Sequence, residues 1–185
     1  MKIFLRNKIK AFTLIELMVT VAIIGVVISM SLAGYSGAEK KSNLDGGMRI
    51  LSANFNLARS NFLSGLRYGG AIASGGWGIH LDVSSSTYLM FADMNSNGVY
   101  DSGEAIVNSG AQAFSLGNGL HFSQINLGNT LDVVFHGTST PLASIVSGVN
   151  SSSTACVEIA ESSTNRVDGL KINAFGFFET VNSCQ

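Results

Sequence analysis

Charge is scarce in this chain. Only 12% of its 185 residues are Asp, Glu, Lys or Arg, against about 25% in an ordinary soluble domain. Basic residues are scarcest in the C-terminal part. From Tyr68 onward, Arg166 and Lys171 face nine acids (Asp82, Asp93, Asp101, Glu104, Asp132, Glu158, Glu161, Asp168 and Glu179), two against nine, a balance of −7. That disfavours nucleic acid as a partner, because neutralising phosphates takes clustered Lys and Arg. There is one proline beside 21 glycines, and Ser, Thr and Asn crowd the second half, which points to short strands and turns rather than a helical bundle. There is no G-x-S-x-G, no phosphate loop and no acid–base constellation, so nothing supports catalysis. With only two cysteines, Cys156 and Cys184, two readings stand: bland buried thiols in a cytosolic chain, or one disulfide in an exported one.

The N-terminus settles the compartment. Residues 1–11, "MKIFLRNKIKA", carry four basic side chains and no acid, and "FTLIELMVTVAIIGVVISMSL" follows from Phe12 with Glu16 as its only charge. Roughly 20 apolar residues cross a bilayer as a helix, and a basic flank stays cytoplasmic. A secretory signal peptide has a shorter apolar run and a small-residue cleavage site after it; neither is present. A plain anchor does not explain Glu16, since an acid in hydrocarbon costs about 2.5–3.5 kcal/mol and is a functional residue by default. No cation lies within the span. A cut just before Phe12 would create one, a new α-amino group able to pair with Glu16 of a neighbouring copy.

The run "KAFTLIELMVTVAIIGVV" resembles the class III signal of type IV pilins and type II secretion pseudopilins. The resemblance implies that prepilin peptidase cuts between Ala11 and Phe12, that Phe12 is N-methylated, and that Glu16 recruits and registers subunits. Two positions depart from the family pattern. Ala11 stands where glycine is usual, and "MSLAGYS" replaces a segment that often contains proline, so a kink there would have to come from Gly25, Gly34 or Gly37.

Beyond the membrane segment, Leu44, Met48, Leu51, Phe55, Ala58 and Phe62 recur at intervals of four and three, with Leu66 next. This is one apolar stripe of a helix, and Lys40, Lys41, Arg49, Arg59 and Arg67 lie off it. The spacing predicts one helix from Phe12 to Leu66, about 80 Å long, its stripe covered by a sheet rather than by a coiled-coil partner. Strand signals follow in "WGIHLDV", "TYLMFA", "AIVNSGAQAFSL", "LHFSQINL", "TLDVVFH", "TACVEIA" and "LKINAFGFF", a largely antiparallel set; "VSGVNSSSTA" reads as a surface loop. The fold class is α+β, and a long helix followed by a meandering sheet is similar to the pilin fold. The layout of the β-rich head is closest to the H-type minor pseudopilins and the FimT/FimU-type minor pilins. The expected division is a cleaved leader (1–11), a transmembrane and assembly helix (12–32), an amphipathic continuation (33–67) and a periplasmic head (68–185).

The stretch "DMNSNGVYDSGE" matches the calcium-loop pattern D-x-[DN]-x-[DN]-G-x₅-E. It supplies oxygens from Asp93, Asn95, Asn97, the Val99 carbonyl, Asp101 and Glu104, with Gly98 at the sharp turn. Its strand-like flanks make it a Ca²⁺ loop on a hairpin, not an EF-hand; the alternative is a hairpin that Asn97-Gly98 simply turns. His80, His121 and His136 fall on separate strands without ligand spacing, so ordinary strand residues are expected there rather than zinc ligands.

Two function classes remain. One is a structural subunit, a minor pilin or pseudopilin that initiates or caps a filament, single-pass in the bacterial inner membrane and partnered by other pilins and by prepilin peptidase. The other is a ligand-binding tip module, such as a DNA receptor, which would want more basic residues near the C-terminus than Arg166 and Lys171. The Cys pair near the C-terminus leans toward the pilus rather than the secretion machine.

Overall fold

The computed structural model describes residues 12–83, 85–104, 113–117, 119–137, 142–148 and 150–184. The chain divides into two compact units, Met1–Glu39 and Lys40–Gln185.

A single helix, α1 (Leu14–Leu63), contributes to both units. In the first, its stretch Leu14–Ser31 is long and apolar enough to cross a membrane, and none of its residues is buried. In the second, the stripe does what its spacing predicts: Leu44, Met48, Leu51, Phe55 and Ala58 are all buried, and Phe62 is partly buried against the same core. Arg49 and Lys41 on the opposite face are exposed.

The helix stops at Leu63, three residues short of Leu66. The reason is local. Gly65 adopts φ +62°, its amide donates to the Phe62 carbonyl at 3.0 Å, and the Leu66 amide reaches back to Asn61 at 3.0 Å. This pair of bonds is a Schellman cap, which needs a left-handed residue that glycine supplies without strain. Leu66 is thereby turned out of the stripe, 46% exposed, and its carbonyl accepts the indole N–H of Trp77 at 3.2 Å.

After a two-residue ladder of β1 (Arg67–Tyr68) and β2 (Ala71–Ile72), the strands are β3 (Gly76–Asp82), β4 (Thr87–Asp93), β5 (Ala113–Ser115), β6 (Leu120–Ile125), β7 (Thr130–His136), β8 (Leu142–Ser147), β9 (Asn150–Ser152), β10 (Thr154–Glu161), β11 (Val167–Asn173) and β12 (Phe178–Val181). Every pairing among them is antiparallel. They form two main sheets rather than one, ordered β5-β4-β3-β7-β8-β9 and β12-β11-β10-β6. Alternation places Ile79, Leu81, Leu131, Val133, Phe135, Val157, Ile159, Leu170 and Ile172 in one core with the helix stripe. Asn54 of α1 also donates to the Tyr88 hydroxyl of β4 at 2.6 Å.

Two expected segments come out differently. The stretch read as a surface loop begins inside β8 and holds a hairpin, Ile145–Ser147 pairing with Asn150–Ser152. "LKINAFGFF" is not one strand but β11 plus the turn into β12, with Gly176 at φ +71°. The strand expected over "AIVNSGAQAFSL" is described only at Ala113–Ser115, residues 105–112 lying outside the described set.

Candidate functional site

The first candidate is the N-terminus of α1. Phe12 is 78% exposed; Ala11 lies outside the described residues. Thr13 is the N-cap and Glu16 occupies the third helical position. The Thr13 hydroxyl accepts the Glu16 amide at 3.3 Å, while the Glu16 carboxylate accepts the Thr13 amide at 3.2 Å and the Thr13 hydroxyl at 3.1 Å. These reciprocal bonds form a capping box, which satisfies helix-end donors that lipid leaves unmet. The signal was in the sequence, as "TLIE", a Ser/Thr followed three residues later by Glu; reading Glu16 only for its charge missed it. The carboxylate of Glu16 therefore has an intramolecular task and is held one residue from Phe12.

The prokaryotic N-terminal methylation motif matches residues 6–32, about a seventh of the chain. That motif supports a place for the chain's N-terminus among type IV pilins and pseudopilins. Comparison with curated proteins and with solved structures finds no match. The motif implies processing by prepilin peptidase and assembly with other pilins, and it points to a structural subunit. The apolar Leu14–Ser31 stretch fits a membrane-anchored pilin, and the helix with its mainly antiparallel sheets is consistent with an α+β pilin fold.

The second candidate in this pilin-like chain is the loop from Asp93 to Glu104. Asp93 closes β4 and is buried; one carboxylate oxygen accepts the amides of Ser96 (2.6 Å) and Asn97 (3.3 Å), the other that of Gly98 (2.8 Å). The Asn95 and Asn97 side-chain carbonyls accept the Asn97 and Val99 amides at 3.1 and 2.9 Å. Both side-chain amides donate to Asp101, at 2.8 and 2.7 Å. Glu104, also buried, accepts the Met94 amide at 2.9 Å and the Asp101 amide at 3.2 Å. The Glu104 carbonyl accepts the Ala92 amide, returning the chain beside β4. The loop is thus wound around its own carboxylates. Gly75 makes room for this, since a Cβ there would sit 2.2 Å from the Asp93 carboxylate. Among the described residues, no three His, Cys, Asp or Glu side chains stand ready to hold a metal.

Cys156 and Cys184 are joined in a disulfide. It ties β10 to the segment after β12, and the Cys184 amide donates to buried Glu158 at 2.6 Å. The histidines stay apart, on β3, β6 and β7. His80 bonds buried Asp132 at 2.7 Å and lies 4.9 Å from the Tyr100 ring, which seats the Asp93–Glu104 loop on the outer face of the larger sheet.

Proposed function

We propose that this chain is a minor pilin or pseudopilin, a structural subunit that helps initiate or cap a type IV pilus or a type II secretion pseudopilus. The observation that carries the reading is the methylation motif over residues 6–32, and the β-rich disulfide-bonded head after one long helix supports it. In this reading prepilin peptidase cuts between Ala11 and Phe12, Phe12 is methylated, and Glu16 acts in assembly. The chain then sits as a single pass in the inner membrane with its head in the periplasm. The Asp93–Glu104 loop takes Ca²⁺ on the strength of its complete twelve-position pattern.

A clean deletion scored in parallel for twitching, transformation and exoprotein secretion separates the machines. Loss of twitching or of secretion assigns the filament. Loss of transformation alone favours a tip-located ligand-binding role instead. N-terminal sequencing of the mature protein is expected to begin at Phe12; a start elsewhere overturns the processing assignment.

A further inference from the structure

The second unit has a groove of about 660 Å³ between α1 and the sheet edge at β12, walled by Lys41, Asp45, Met48 and Arg49 on one side and by Thr180 and Asp168 on the other. Among the described residues β12 has a single neighbour, β11. The hairpin bond from the Asn173 amide to the Phe177 carbonyl and the register Lys171↔Glu179, Leu170↔Thr180 fix the alternation of the ladder. Glu179 and Val181 spend their backbone groups on β11; those of Phe178 and Thr180 face away from it. An edge of this kind is a template for another strand.

The opposite wall carries a charge code. Lys41, Asp45 and Arg49 succeed one another at four-residue intervals, all exposed. That is plus, minus, plus at about 6 Å steps along a helix. Alternate residues of an extended strand repeat at about 6.6 Å, so the two spacings run in register over three positions. Asp168 approaches the same acid from the sheet side. Burial, then the charge of Asp45, push its carboxyl above the usual range, with Lys41 and Arg166 only partly opposing them. Lys41 and Arg166 thus leave Asp168 incompletely compensated.

We propose that this groove receives an extended segment of another polypeptide, which adds to β12 as a strand and carries the pattern acid-x-base-x-acid, its central Lys or Arg between Asp45 and Asp168. Strand addition supplies main-chain bonds and the alternate side chains supply specificity. No Lys or Arg anywhere in this chain is flanked by acids at both second neighbours, so the occupant is a different protein and not a second copy. The inference stands whichever filament the chain serves.

The test uses the full chain in detergent micelles and two fluorescent seven-residue peptides, TEVRVET and its charge-inverted form TKVEVKT, titrated to about 1 mM. TEVRVET is expected to bind at least tenfold more tightly. Thr180→Pro removes an outward N–H that β11 does not use, a substitution sheet edges accept; it is expected to abolish binding while the protein still melts cooperatively. Should that variant fail to fold, the triple variant Lys41→Glu, Asp45→Lys, Arg49→Glu, confined to exposed side chains, is expected to invert the peptide preference. Equal binding of both peptides, no binding of either, or an uninverted preference overturns the proposal. Self-association of the unmodified chain that Thr180→Pro removes would overturn it in favour of a second copy.

Discussion

Glu16 carries two candidate tasks, and single-atom substitutions separate them. As a cap, its carboxylate accepts the Thr13 amide, and glutamine does the same at that position. As an assembly residue it must bring a negative charge, which glutamine lacks. Glu16→Gln is therefore expected to keep a fully helical N-terminus yet enter sheared filaments poorly. Glu16→Ala loses both, and cap loss adds about 1 kcal/mol of local destabilisation. Normal incorporation of Glu16→Gln would reduce Glu16 to a cap. Asp168 offers a second test. Its carboxyl titrates above the ordinary aspartate range because burial and Asp45 disfavour its charge. The contribution to stability is then fully present below the unfolded-state pKa and is lost as pH rises through the folded one. Asp168→Asn is expected to raise the melting temperature at pH 7 and to change it little at pH 3. The opposite order would show a compensated carboxylate.

Among the elements, what was legible in the sequence was local. The stripe from Leu44 to Phe62 identifies the buried helix face because helix periodicity needs no knowledge of the partner. The capping box at Thr13 and the Gly65 cap were equally local and fix both ends of α1. The division into two sheets was not legible, because β6 joins β10 across an intervening stretch of more than 25 residues, a pairing that no short pattern encodes. The β8–β9 hairpin was hidden by composition. Of the inward positions of β8, Ala143, Ile145 and Ser147, only Ile145 is a strand-favouring apolar residue. The Asp93–Glu104 pattern was visible, but its chemistry turns on a competition. In the described loop Asp101 accepts two amide donors, and a cation must outbid them. Extracellular loops of this kind bind Ca²⁺ at about 10⁻⁴–10⁻³ M, and a hundredfold excess over Kd stabilises by about 2.7 kcal/mol. The full chain in detergent is expected to melt higher in Ca²⁺ than in chelator, and the difference should vanish in Glu104→Ala and shrink in Asp101→Asn. Equal melting in both buffers leaves the stretch a self-capped turn.

For the whole molecule, charge, span and disulfide make one argument about compartment. Lys2, Arg6, Lys8 and Lys10 precede an apolar stretch, and a basic flank of this kind favours the cytoplasmic side. The residues from Tyr68 onward carry −7, with no basic cluster to hold them back. The Cys156–Cys184 bridge persists only in an oxidising compartment. Its 28-residue separation makes it worth about 3–4 kcal/mol by chain entropy. Two measurements on the same cells follow. Protease added to spheroplasts is expected to digest the head while leaving the apolar stretch of α1 protected. A maleimide probe is expected to leave both cysteines unlabelled until the protein is unfolded and reduced, and reduction should lower the melting temperature by about 10 °C. A head that resists protease outside the cell and yields two free thiols would place it in the cytoplasm. It would then remove the periplasmic setting that the proposed filament role requires.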